Sequence, residues 1–141
     1  MLKLTKKIDY ALMAINFMSF KGESVANTRN IAEIYNIPLE ILAKVLQRLA
    51  KKGFIISQNG PKGGYTLAKD PSLISLGDLI RAIEGPIQIV HCVEGDTSCS
   101  QTARCTIRSP LRKIEHKIVD YLDNVSIDQI CSEEVPVELT V

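Results

Sequence analysis

Apolar positions along the chain fall into blocks with two different periods. Ile8, Ala11, Leu12, Ile15 and Met18 recur at helical spacing, with Thr5 placed to cap the start and Lys21-Gly22 to close the end, which predicts a helix over residues 5–20. Thr28 opens a second, shorter helix with Ile31, Ala32 and Ile34 inward, and Asn36-Ile37-Pro38 breaks it. A third helix is predicted from Leu39 to Lys52, with Leu42, Val45, Leu46 and Leu49 as its buried stripe. Its other face carries Glu40, Ala43, Lys44, Gln47, Arg48 and Lys51. The pattern then changes to two short strands, residues 53–57 and 64–67, around a Gly- and Pro-containing turn at residues 58–63. Leu76, Leu79, Ile80 and Ile83 predict a short helix over 76–84, capped by Ser75 and ended by Gly85-Pro86. Residues 92–105 show no apolar periodicity. After them Ile107, Leu111, Ile114, Ile118, Tyr121 and Val125 are spaced 4-3-4-3-4, a heptad seam. Arg108, Arg112, Lys113, Glu115, Lys117 and Asp120 are assigned to its polar side. A small helical turn over 126–132 and an acidic tail complete the chain.

Helices two and three, joined by a few residues, form a helix-turn-helix whose second helix enters a major groove. The glycine-rich basic hairpin directly after it reads as a wing, able to approach phosphates or the minor groove. The predicted fold class is therefore mainly α with a small β-hairpin wing, a winged helix-turn-helix followed by a long C-terminal dimerisation helix. Residues 1–86 form the DNA-binding domain, 87–106 a cysteine-bearing sensor loop, 107–132 the dimerisation helix with a short helix, and 133–141 the tail. A nucleotide-binding phosphate loop is the competing reading of the hairpin. It fails because the G-x-x-x-x-G-K-[ST] pattern and a following helix are both missing.

Charge strengthens the nucleic-acid reading. The net charge is only +1, yet residues 1–69 hold eleven Lys/Arg against four Asp/Glu, and residues 70–141 hold six against twelve. A basic half suits a polyanion, because neutralised phosphates release counterions. Double-stranded DNA is the expected partner. The expected contacts are Thr28, Arg29, Leu39, Glu40, Ala43, Lys44 and Gln47 in and beside the major groove, and Asn59 and Lys62 at the wing. At 141 residues and 45% hydrophobic composition the chain has enough material for one core. No apolar run reaches membrane length and no signal segment opens the chain, so a cytoplasmic location with reduced thiols is expected. Nothing assigns a nucleophile–base pair or a substrate pocket, so no enzyme is expected.

Cys92, Cys99 and Cys105 are the remaining chemistry. They lie in small and polar residues that bury too little surface to fold alone, so something else must hold the segment. The spacing is Cys-x6-Cys-x5-Cys. Structural zinc usually shows a C-x2–4-C knuckle and four ligands, and this segment has neither. An iron–sulfur cluster, of two or four irons, takes thiolates on longer loops and leaves one iron needing another donor. A carboxylate there would make a labile site, open to nitric oxide or oxygen. Cys131 reads as a buried thiol, and His91 and His116 as solvated or structural residues. Two alternatives stay open. One is a cluster-free regulator set by thiol oxidation or a protein partner. The other is a small redox protein.

These residues resemble the IscR/NsrR family of dimeric winged-helix regulators, many of which carry an iron–sulfur cluster. The resemblance rests on Leu4 to Leu12, on Ile31-Ala32-Glu33 to Leu49, on the wing Gly60-Pro61-Lys62-Gly63-Gly64-Tyr65 and on the three cysteines, and covers residues 1–131. It implies transcriptional regulation, usually repression, gated by cluster state. Members of the IscR kind have a histidine three residues after the third cysteine, where this chain has Arg108, which cannot ligate. Members of the NsrR kind use an aspartate near the start of the first helix, contributed by the partner subunit, and Asp9 matches that position. His91 is the substitute. IscR-type readers place a glutamate and an arginine where this chain has Ala43 and Asn59, which implies a different preferred DNA sequence.

Overall fold

A computed structural model of the chain describes residues 3–22, 24–90, 99–101 and 103–132. Six α-helices and one antiparallel hairpin lie among them, in the order α1 (Lys6–Lys21), α2 (Thr28–Tyr35), α3 (Leu39–Lys51), β1 (Ile55–Gln58), β2 (Gly64–Leu67), α4 (Leu76–Glu84), α5 (Arg108–Asn124) and α6 (Ile127–Cys131), with a short 3-10 turn at Pro71–Leu73. Helix α1 runs through the centre. Its buried face, Ile8, Ala11, Ala14, Ile15 and Met18, joins one cluster with Leu42, Leu46 and Leu49 of α3 and with Leu79 and Ile83 of α4. Alanines at 11 and 14 let neighbouring helices approach α1 closely.

The helix-turn-helix follows from its caps. Asn27 Oδ1 accepts the Arg29 N–H at 2.8 Å and so satisfies one orphan donor at the start of α2. Asn36 ends α2 in the left-handed region at φ 52°, a conformation asparagine tolerates better than branched residues do. Ile37 then turns inward and is buried, which fixes the angle at which Pro38 launches α3. The predicted Ile34 contact is not made: that residue is 56% exposed. With the buried side of α2 centred between Ile31 and Ala32, Ile34 stands about 110° away around a helix of ~3.6 residues per turn.

In the wing, Ile55 pairs with Leu67 and Gln58 with Gly64, so the first strand starts two residues later and ends one residue later than the 53–57 the sequence pattern predicts, while the second matches 64–67. Gly60 takes φ 113°, a turn conformation that side chains resist. Ala26 and Tyr65 exchange both backbone hydrogen bonds, 2.8 and 2.9 Å, so the linker before α2 is tied to β2 by a single antiparallel bridge. Gly64 permits that approach, because a Cβ there would collide with the Ala26 carbonyl. The wing is thereby anchored to the same linker that caps α2.

The C-terminal helices are fastened to α4. Leu76 N–H donates to the Val125 carbonyl and Ile127 N–H to the Ile74 carbonyl, both at 2.8 Å. The Arg81 guanidinium meets Asp123 twice, Nη1 to Oδ1 at 2.8 Å and Nη2 to Oδ2 at 2.9 Å, a geometry that raises the arginine's already high pKa. Two assignments on α5 change. Val125 lies beyond the end of the helix in extended backbone and is buried, so it does not belong to the seam. Glu115, placed on the polar side, is buried at 4% exposure.

Candidate DNA interface and sensor segment

Between α3 and the wing lies an open cleft of about 640 Å³, lined in part by Thr28, Arg29, Leu39, Ala43, Gln47 and Asn59. Leu39, Ala43 and Gln47 are four residues apart on α3 and make one stripe along its outer face. Thr28 and Arg29 enter from the start of α2, where backbone N–H groups and the helix dipole favour an anion. Asn59 faces them from the hairpin turn. These six residues share one cleft.

The other three candidates surround the cleft rather than line it. Glu40 is exposed in the first turn of α3, and Lys62 is exposed at the wing tip. Lys44 faces a second hollow, which it shares with Lys7 and Arg48. Lys7, on the first turns of α1, is a cation that periodicity alone did not associate with the recognition helix. Asn27 and Tyr65 also line the cleft and were missed. The first acts as a cap and the second through its backbone, neither of which has a compositional signature.

In the cysteine segment Cys99 is exposed and Cys105 half-buried, while Cys92 and His91 lie outside the described residues. Among the described residues of 99–107 there are turns, bends and irregular backbone, with no helix or strand. Among the described residues no three His, Cys, Asp or Glu side chains converge as a metal site. The donor chemistry fits an iron–sulfur cluster all the same: the segment offers sulfur ligands, and Arg108, three residues after Cys105, has a buried Nε that finds no acceptor among the described residues. A buried N–H donor close in sequence to the cysteines is the kind of group that can hydrogen-bond cluster sulfur. Asp9 stands in the first turn of α1 and pairs with Lys6 at 3.7 Å. Cys131 packs against the core, and burial, followed by the nearby Asp128, pushes its thiol up in pKa.

Helix α5 links these parts. Glu115 Oε2 accepts the Ile89 N–H at 2.6 Å and the Val90 N–H at 3.3 Å, just before the cysteine segment begins. The predicted seam is left uncovered at Ile107 and Ile114, which are 61% and 51% exposed, and half-covered at Leu111, Ile118 and Tyr121. No helix among the described residues is long and apolar enough to cross a membrane.

Comparison with known proteins agrees with this architecture. The chain is 32% identical over 131 residues to the HTH-type transcriptional regulator NsrR of Bacillus licheniformis, covering 92% of each chain. It is 29% identical over 140 residues to the HTH-type transcriptional regulator IscR of Vibrio vulnificus, covering 99% of this chain and 83% of the relative. Among solved structures it is similar to CymR, the global cysteine regulator of B. subtilis, with a TM-score of 0.67 at 28% identity over 94% of this chain and 98% of that one. These relatives are regulators by name, and the winged-helix architecture is shared. Residues 4–133 match the family Rrf2, iron-dependent transcriptional regulator, and the chain belongs to that family.

Proposed function

We propose that the chain is a homodimeric repressor whose affinity for DNA is set by an iron–sulfur cluster held by Cys92, Cys99 and Cys105, with Asp9 of the partner subunit as the further donor. The observation that carries this reading is the position of α5. One helix meets both ends of the cysteine segment, through Glu115 at Ile89 and Val90 and through chain continuity at Arg108, and is fastened to α4 by Arg81 and Asp123. Helix α4 packs in turn on α1 and α3.

On DNA, Thr28 and Arg29 hold phosphate, and Asn59 and Lys62 touch the flanking backbone or minor groove. Gln47 presents an amide suited to adenine N6 and N7, while Leu39 and Ala43 offer apolar contact to thymine methyls. Two such stripes in a dimer must sit about one helical turn, ~34 Å, apart to read two half-sites. The uncovered seam around Ile114 supplies the apolar surface for that dimer. A bound cluster would supply a centre that reacts with nitric oxide or oxygen at its least covalently held iron. The protein's part is mechanical: gathered thiolates fix the segment between Val90 and Arg108, and the segment's two anchors on α5 convert its shape into a bias on the spacing of the α3 helices.

The test is anaerobic purification with iron and sulfide analysis. The reading expects a brown protein with iron and acid-labile sulfide, and loss of both in Cys92→Ala. A colourless, iron-free protein that cannot be reconstituted would overturn it. The likeness to CymR favours a second reading, a cluster-free regulator controlled by thiol oxidation or a protein partner. In that case the colourless protein binds DNA, and substitution of the exposed Cys99 removes its response to oxidant.

A further inference from the structure

Glu115 is the one charged side chain buried among the described residues. It lies on a helix whose other charged side chains are half-buried or exposed, and the heptad pattern gives no reason for its burial. A carboxylate removed from water is costly unless it is hydrogen-bonded, and this one is bonded to two backbone donors, Ile89 at 2.6 Å and Val90 at 3.3 Å. Those donors belong to residues 87–90, which have no strand partner to accept their N–H groups. The pairing therefore solves two problems at once. It gives Oε2 of the carboxylate two donors, and it pins the chain leading to Cys92 against the middle of α5.

From this geometry we infer that Glu115 is the positioning residue through which the sensor segment acts on the dimer helix. The inference rests on the cluster reading above and adds its route. The segment has two ends. The far end is covalently continuous with α5 at Arg108, whereas the near end is held to α5 by these two hydrogen bonds, seven residues further along the helix. A load on the segment acts on α5 only while both ends are held. With the near end released, the segment can gather its thiolates by drawing in residues 86–90, and α5 need not move.

The experiment uses the full-length chain with all cysteines intact and compares Glu115→Ala, Glu115→Gln and Glu115→Asp with the parent. Hydrogen exchange on the metal-free proteins reads the clamp itself. Loss of a charge-assisted bond should lower protection of the Ile89 and Val90 amides roughly tenfold in Glu115→Ala, with recovery in Glu115→Gln, whose amide oxygen still accepts. DNA affinity is then measured for loaded and stripped forms, with iron and sulfide content as the loading control. The expected result is full loading of Glu115→Ala, a loaded-to-stripped affinity ratio collapsed towards one, and restoration of that ratio in Glu115→Gln. A Glu115→Ala protein that keeps the parent's ratio, or a Glu115→Gln protein that fails to restore it, overturns the inference alone. A parent that takes up no iron and sulfide, or whose affinity ignores them, overturns the cluster reading and the inference together. If Glu115→Ala does not fold, Glu115→Asp decides: its carboxylate is one methylene short of the two amides and should give an intermediate ratio, and a parental ratio refutes the clamp.

Discussion

Replacing Ile114 with glutamate separates the fold of one chain from its assembly. Ile114 lies mid-way along α5 and is 51% exposed. Covering the exposed half of an isoleucine contributes about 1 kcal/mol per chain, so about 2 kcal/mol for a symmetric pair. Ile114→Glu removes that contribution and leaves two carboxylates facing an apolar interface without partners, at a cost of several kcal/mol. The total weakens dimerisation by on the order of 4–6 kcal/mol, a ~10³–10⁴-fold rise in the dissociation constant. The fold of the single chain should change little, because a half-exposed site away from the core tolerates polar substitution within about 0.5 kcal/mol. Sedimentation velocity at micromolar concentration, paired with a thermal melt by circular dichroism, reads both effects. The expected result is a folded monomer whose affinity for a two-half-site DNA falls steeply. An unchanged dimer would refute the reasoning and move the interface off α5.

Three other outcomes follow from the same geometry. Lys62→Ala should weaken binding to all DNA sequences alike and reduce the slope of log affinity against log salt by about one unit, whereas Gln47→Ala should alter sequence preference and leave that slope unchanged; salt titration on matched and mismatched duplexes distinguishes them. Gly64→Ala forces a Cβ against the Ala26 carbonyl and should lower stability by about 2 kcal/mol while weakening DNA binding more than Lys62→Ala does, as read by denaturant titration and by fluorescence anisotropy. Asp9→Ala should leave three thiolates able to assemble a cluster but shorten its lifetime in air, followed by absorbance decay; an equally long-lived cluster transfers the fourth position to His91, Glu94 or Asp96.

The helix-turn-helix was legible because its signals are local and repeated. Leu42, Val45, Leu46 and Leu49 fix the buried face of α3 by spacing alone, and that leaves Leu39, Ala43 and Gln47 on the other side. The wing was legible from Gly60-Pro61-Lys62-Gly63-Gly64, although its first strand begins at Ile55, two residues later than hydrophobicity indicates. What escaped was set by partners distant in sequence. Ala26 pairs with Tyr65 through a single bridge, too short to carry a pattern. Val125 keeps the heptad count, but the chain has already left the helix there to place Ser126 as the cap of α6, where its hydroxyl accepts the Gln129 N–H at 3.2 Å. Glu115 was assigned to solvent because it is charged. Its burial answers a demand from Ile89 and Val90, whose unmet N–H groups appear only once the backbone path is known. Asp9 and the cysteines are almost ninety residues apart, and no periodicity connects them.

DNA affinity measured anaerobically before and after removal of the cluster tests the central claim most directly. The parent chain, purified without oxygen, is titrated with a selected operator duplex, then stripped by chelator under reducing conditions and titrated again at the same salt concentration. The account predicts at least a tenfold difference in dissociation constant between the two forms, abolished in Cys92→Ala. Equal affinities for an iron- and sulfide-containing protein and its stripped form would contradict it.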